Sequence, residues 1–231
     1  MPMRRQPRYV VITGSDTGVG KTVLTAWLTR RLRAEGVNAV ALKPVCSGGR
    51  ADARALHLAN GRTLTLDEVN PWHYPAALAP VLAARQAGRR IQLEPILTWI
   101  RAVSKAHELV LVEGAGGLLS PLGEGFDTRD LIRELSAIPV VVVPNRLGAV
   151  NQARLVMEAL PGRARVKAQV VFAAVRGAGV AARCNPSLLQ EHFPKLPITL
   201  LPRVAGGEKA IVESNRPIAV ALTGLVRALR V

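Results

Sequence analysis

Tyr9-Val10-Val11-Ile12-Thr13 runs straight into Gly14-Ser15-Asp16-Thr17-Gly18-Val19-Gly20-Lys21-Thr22. The first five residues form an apolar, β-branched run, the pattern of a strand buried on both faces. The loop after it is rich in glycine and ends in Gly-Lys-Thr. A helix is expected next, from about Lys21 to Glu35, with Leu24, Trp27, Leu28 and Leu32 on one face and Gly36 as its stop. Strand, glycine loop and helix in that order are the context a phosphate-binding P-loop requires. Backbone N–H groups of Gly18, Val19, Gly20, Lys21 and Thr22 can turn inward onto phosphate oxygens, helped by the positive end of the helix. Lys21 would bridge the β and γ phosphates, and the Thr22 hydroxyl would ligate Mg²⁺. The usual spacing places the first glycine at position 15, where this chain has Ser15, with Gly14 one residue earlier.

Outward from that loop, short β-rich runs alternate with helical stretches. Strands are expected at Ala39–Leu42, Leu109–Val112, Val140–Val143, Val170–Ala173 and Ile198–Leu201. Helices are expected near Asp52–Ala59, Ala76–Gln86 and Pro95–Ala106, and at the end, about Ile218–Leu229. This alternation implies an α/β fold of the P-loop NTPase kind, a mostly parallel sheet with helices on both faces. Nothing divides the 231 residues, so one domain is expected, with residues 1–8 a basic tail. Hydrophobic residues at 49% and charged residues at 20% supply a core and argue against disorder, and aromatics at 3% leave that core to aliphatic side chains. No apolar run has the length of a membrane span, and the start lacks a signal-peptide core. Cys46 and Cys184 make no disulfide scaffold. A soluble, cytoplasmic protein is expected. The formal charge of +15 raises the question of a nucleic-acid partner, but the basic residues are scattered and have no stacking aromatics among them.

Two further strand ends deliver chemistry to the same edge. Leu109-Val110-Leu111-Val112 ends at Glu113 and is followed by Gly114-Ala115-Gly116-Gly117. An apolar strand carrying a carboxylate to the sheet edge is how P-loop proteins place their metal-side acid, and the glycines let backbone approach phosphate. The second strand ends in Lys43-Pro44-Val45, with Ser47-Gly48-Gly49 and Asp52 close behind. Lys43 would enter the crevice as a second cation. Mg²⁺ takes few carboxylates, so Thr22, Asp52 and Glu113 suffice to hold it.

The loop Gly14 to Thr22, Lys43-Pro44-Val45, Ser47-Gly48, Glu113 to Gly117 and Leu147-Gly148-Ala149-Val150-Asn151 together resemble the dethiobiotin synthase family in order and spacing over nearly the whole chain. The Gly-Ser-Asp-Thr-Gly form of the loop is close to that family's own variant. The resemblance implies a homodimer that uses ATP, Mg²⁺ and CO₂ to close a cyclic urea on 7,8-diaminononanoate. It implies that Thr17, Lys21 and Lys43 face the transferred phosphate while Ser47 contacts the carbamate. It implies further that the Gly148-Ala149-Val150-Asn151 turn holds the substrate's tail carboxylate across the dimer.

Two departures stand out. Many family members carry an adenine-reading Asn after the strand that matches Val170–Ala173, whereas this chain reads Phe172-Ala173-Ala174-Val175-Arg176-Gly177. Reduced preference for ATP over CTP or GTP is expected from that loss. Asn145 and Arg146, where the family varies, read as solvated loop residues. Partitioning ATPases are similar around Gly18 to Thr22, but they carry a signature Lys where this chain has Asp16. Cobyrinic acid amidases append a glutamine-hydrolysing domain for which no length remains. His57, His73, His107 and His192 lack ligand spacing, Cys46 reads as a small packing residue, and the three Trp read as core or helix-face anchors.

Overall fold

A computed structural model describes residues 6–177, 179–203 and 216–230. Six parallel strands form the central sheet: β1 (Arg8–Gly14), β2 (Ala39–Leu42), β5 (Leu109–Glu113), β6 (Ile138–Asn145), β7 (Gln169–Ala174) and β8 (Ile198–Leu201). Their order is β2-β5-β1-β6-β7-β8. Two three-residue strands, β3 (Val45–Ser47) and β4 (Trp72–Tyr74), pair in parallel as a separate small sheet. The helices are α1 (Lys21–Ala34), α2 (Ala51–Ala59), α3 (Leu66–Val69), α4 (Pro80–Gln86), α5 (Leu93–Ser104), α6 (Thr128–Glu134), α7 (Ala149–Ala159), α8 (Gly162–Arg165) and α9 (Ala181–His192). Two more close the chain, Arg216–Ala221 and Thr223–Arg230.

The strands alternate their side chains between two cores. Val10, Ile12, Ala41, Leu111 and Val142 face Leu24, Leu28 and Leu32 of α1, Leu56 of α2 and Leu225 of the last helix. Val11, Val40, Val112, Val141 and Phe172 face Ile96 and Ile100 of α5, Leu131 of α6, Val156 of α7 and Leu189 of α9. Both faces are covered, which is why the strands read as unbroken apolar runs. A side chain such as Leu28, fully buried, contributes roughly 1.5–3 kcal/mol.

β1 lies at the centre, with Ile12 beside Glu113 of β5 and Gly14 beside Val142 of β6. From its carboxyl end α1 leaves toward one face, while α6 and α7 follow β5 and β6 on the other. Such a switch in winding opens a crevice beyond the strand ends, the usual ligand position in open α/β sheets.

Several boundaries differ from the sequence expectation. β1 begins at Arg8, which pairs with Leu109, so Arg8 belongs to the sheet rather than to a tail; residues 1–5 lie outside the described residues. α4 starts at Pro80, not Ala76, because proline fits the first helical turn and keeps the residue before it extended. The C-terminal helical stretch is two helices separated at Leu222. Trp27 is buried on α1, and Trp72 meets Trp99 edge-on with ring centroids 5.7 Å apart. No helix among the described residues is long and apolar enough to cross a membrane.

Candidate active site

α1 begins at Gly20, whose φ of 99° lies in the left-handed region that glycine alone adopts without strain. No side chain caps the helix, so the first-turn N–H groups stay available to an anion from outside the fold. A cavity of about 700 Å³ opens against this loop, lined by Thr17, Gly18, Gly20, Lys21 and Thr22. Its other walls come from Lys43, Cys46 and Ser47 after β2, Asp52 of α2, the segment Ala77–Pro80, and Ala115, Gly116, Ser120 and Pro121 after β5.

Within this cavity the charged groups converge. Lys43 is 3% exposed, and its Nζ donates to Glu113 Oε1 at 2.7 Å, approaches Asp52 Oδ2 at 3.0 Å and donates to the Gly114 carbonyl at 3.0 Å. Burial works against the Lys43 charge, but Glu113 and then Asp52 outweigh it and hold the ammonium above its ordinary range. Burial likewise works against the Asp52 carboxylate, which Lys43, at hydrogen-bond distance, and then Lys21 keep below its ordinary range. The Thr22 hydroxyl donates to Glu113 Oε1 at 2.7 Å. Lys21 Nζ donates to the Asp16 carbonyl at 2.8 Å, and burial, then Lys43, pull its ammonium down to about 8. The cavity therefore holds two lysines, one fully compensated by carboxylates and one not.

Hard oxygen donors also gather here. Glu113 is 1% exposed, and its Oε2 has no hydrogen-bond partner among the described residues, an arrangement that costs free energy unless a ligand completes it. With the Thr22 hydroxyl and Asp52 beside it, the donor set suits Mg²⁺, which keeps several waters and takes one or two carboxylates. No group of three or more His, Cys, Asp or Glu among the described residues forms a metal cage.

Most residues singled out from the sequence meet in this cavity, with differences in detail. The Ser47 hydroxyl donates to the Leu78 carbonyl at 2.7 Å rather than into open space. The Gly117 N–H is taken by Ser120 Oγ at 2.8 Å, so this amide is already satisfied within its own turn. Gly148, Ala149, Val150 and Asn151 lie elsewhere: they open α7 behind another left-handed glycine, φ 87°, and do not line the cavity. Asn145 is a buried residue, not the solvated loop residue expected. Its amide donates to Ala182 O at 3.0 Å and accepts from Asn185 at 2.8 Å. β7 ends at Ala174 with no amide side chain, beside Asn145 in register. Cys46 is buried in the cavity wall, where desolvation pushes its thiol up to about 11. Sequence reasoning missed the Ala77–Pro80 wall and Ser120; the dipeptide Ser120-Pro121, separated by two residues from Gly114-Ala115-Gly116-Gly117, was the available signal for the latter.

Comparison with known proteins gives a consistent result. A family model described as an AAA domain matches residues 8–206. The chain is similar to the ATP-dependent dethiobiotin synthetase BioD of Akkermansia muciniphila, 37% identical over 83% of this chain and 90% of that protein. It is also similar to the proteins of that name from Anaeromyxobacter sp., at 43% over 71% and 76%, and Xanthomonas oryzae pv. oryzae, at 41% over 67% and 73%. Among solved structures, the MinC:MinD cell division complex of Aquifex aeolicus matches with a TM-score of 0.63 at 18% identity, covering 96% of both chains. A ParA family ATPase of Chlorobium tepidum matches at 0.60 and 11%, covering 96% and 98%. At such identities the structural likeness establishes a P-loop NTPase-like fold and nothing finer.

Proposed function

This chain belongs to the ATP-dependent dethiobiotin synthetase family, and we propose that the residues gathered at its P-loop carry out that ring closure. It is an ATP- and Mg²⁺-dependent ligase that forms C–N bonds. The observation that carries the site assignment is the pairing of buried Lys43 with Asp52 and Glu113, beside a second buried lysine, Lys21, at an uncapped helix start.

One amine of 7,8-diaminononanoate takes up CO₂ as a carbamate. A carbamate oxygen attacks the γ phosphorus of ATP, the bond to ADP breaks, and a carbamic-phosphoric anhydride results. The second amine then attacks the carbamoyl carbon, its N–H proton is lost, and the C–O bond to phosphate breaks to release phosphate and the cyclic urea. A carbamate is already nucleophilic, so the chain needs no activated serine or cysteine. Its task is placement and charge compensation. Gly18, Val19, Gly20 and Thr22 cradle the phosphates, Lys21 and Lys43 neutralise the phosphoryl group in flight, and Thr17 faces it with its hydroxyl. Ser47 turns from Leu78 to the carbamate. Thr22, Asp52 and Glu113 hold Mg²⁺, which supplies further positive charge to the phosphates when bound. Gly116 admits the nucleotide close to backbone. Gly148, Ala149, Val150 and Asn151 take the tail carboxylate of a substrate bound in the partner subunit of a homodimer. Exposed Leu147, 83% accessible at the head of that turn, supports such an interface.

The direct test supplies 7,8-diaminononanoate, bicarbonate, Mg²⁺ and ATP and looks for dethiobiotin by mass. Product is expected, falling at least about 10²-fold with Lys21→Ala. Nucleotide binding without product would refute the reaction and leave the fold intact.

A further inference from the structure

The turn after β5 is built around a hydroxyl to which neither the resemblance nor the comparisons give a role. Ser120 Oγ accepts the Gly117 N–H at 2.8 Å, and the Ser120 N–H returns to the Gly117 carbonyl at 3.2 Å. Gly116 sits at φ 72°, and a β-carbon there would collide with the Ser120 side chain while lying 3.8 Å from Thr17 Oγ1. Gly116 is thus small because the Ser120 side chain closes over it, with the P-loop hydroxyl of Thr17 at ordinary contact distance beyond. Ser120 and Thr17 both line the cavity that holds Lys21 and Lys43.

A serine hydroxyl has one hydrogen to give and two lone pairs. At Ser120 one lone pair is engaged by Gly117, and the hydrogen has no acceptor among the described residues. The Ser47 hydroxyl, by contrast, spends its hydrogen on Leu78. An oxygen that accepts a backbone N–H is polarised toward donating its own hydrogen. Facing a cavity with two ammonium groups, the natural acceptor is an anionic oxygen.

We propose that Ser120 is a further catalytic residue, donating its hydroxyl hydrogen to an oxygen of the phosphorylated carbamate. Its contact is with the group in transfer, from a turn that packs against the P-loop, where Leu118 N–H donates to the Gly14 carbonyl at 3.1 Å. The assignment rests on the ring-closing reading above and names a donor that the turn after β5 adds beside the P-loop. The acceptor carries more charge in the transition state than in either ground state, so the contact acts on kcat more than on nucleotide binding.

The test compares wild type, Ser120→Ala and Ser120→Thr in three measurements: turnover, affinity for Mg²⁺–ADP, and affinity for ADP with aluminium fluoride, a mimic of the transferring phosphoryl group. Ser120→Ala is expected to lower kcat about ten- to hundredfold. It should weaken the aluminium fluoride complex in parallel and leave ADP affinity within about twofold. Ser120→Thr, which keeps the hydroxyl, should restore most of both. Equal weakening of ADP and its aluminium fluoride complex would reduce Ser120 to a brace for the turn and overturn the proposal, as would unchanged kcat in Ser120→Ala. If wild type makes no dethiobiotin, the ring-closing reading fails by itself. The aluminium fluoride comparison still reports whether Ser120 meets a transferring phosphoryl group.

Discussion

At Lys21 two demands oppose each other: burial against the P-loop favours the neutral amine, and the phosphate binding proposed for it requires the cation. Burial and nearby Lys43 leave the ammonium titrating at about 8. The folded state therefore binds fewer protons than the unfolded chain between about pH 8 and the ordinary lysine range. Over that window the stability cost of the buried charge is relieved as pH rises. Ligand binding runs the other way, because a triphosphate favours the charged form. ATP affinity is expected to hold below pH 8 and to fall as pH rises through it, by up to about tenfold per unit; calorimetric titrations from pH 7 to 9.5 would read the break, and a flat profile would contradict it. Base choice is also decided residue by residue. Ala174 offers no hydrogen bond, and the amide of Asn145 beside it is spent on Ala182 and Asn185. We expect kcat/KM for CTP and GTP to lie within about tenfold of that for ATP, since discrimination between bases draws on buried hydrogen bonds. ATP better than both by more than tenfold would refute this.

Elements hold these residues in place by devices that leave little trace in the sequence. β2 is an edge strand, yet its outer side is closed by one side chain. Asn60 Oδ1 accepts the Ala41 N–H at 2.8 Å, and its amide donates to the Ala41 carbonyl at 2.9 Å, in full burial. The side chain imitates a neighbouring strand and steadies the stretch that ends at Lys43. Asn60→Ala leaves two buried backbone groups unpaired and is expected to cost about 2–4 kcal/mol in urea unfolding; a loss below about 1 kcal/mol would show that water replaces it. The long strands and α1 were legible because each repeats a burial pattern over enough residues. β3 and β4 were not, since three residues carry no periodicity and their pairing joins Val45 to Trp72, far apart in the chain. The same distance hid Asn60 and the Asn145–Asn185 pair.

For the molecule as a whole, the +15 charge is distributed rather than gathered. Arg31 and Arg33, Arg85, Arg101, Arg133, and Arg163 and Arg165 occupy last turns of helices, where the helix dipole favours cations. Arg31, Arg85, Arg101, Arg133 and Arg165 are also ion-paired. Leu147 and Leu155, 83% and 63% exposed, mark the α7 side as apolar surface. In sedimentation the protein is expected to run as a dimer, and Leu155→Glu is expected to shift it toward monomer and raise KM for 7,8-diaminononanoate while ATP affinity stays within about twofold. A wild-type monomer with full activity would exclude the shared site. The likeness to MinD and ParA structures and the similarity to dethiobiotin synthetases concern different levels of the same chain. The shape belongs to P-loop proteins broadly, and the side chains set on it belong to one family. By itself the sequence determined the parallel sheet and the glycine-rich loop that joins β1 to α1, because strand burial and loop chemistry are local. Only the tertiary structure decided that Lys43 bridges Asp52 and Glu113, that Ser120 closes over Gly116 and that Asn145 is consumed internally. The Lys43 bridge and the Asn145–Asn185 bond join residues far apart in the chain that meet only once the sheet and its helices have packed. The Ser120 contact is local but set by a turn conformation that residue pattern alone does not announce.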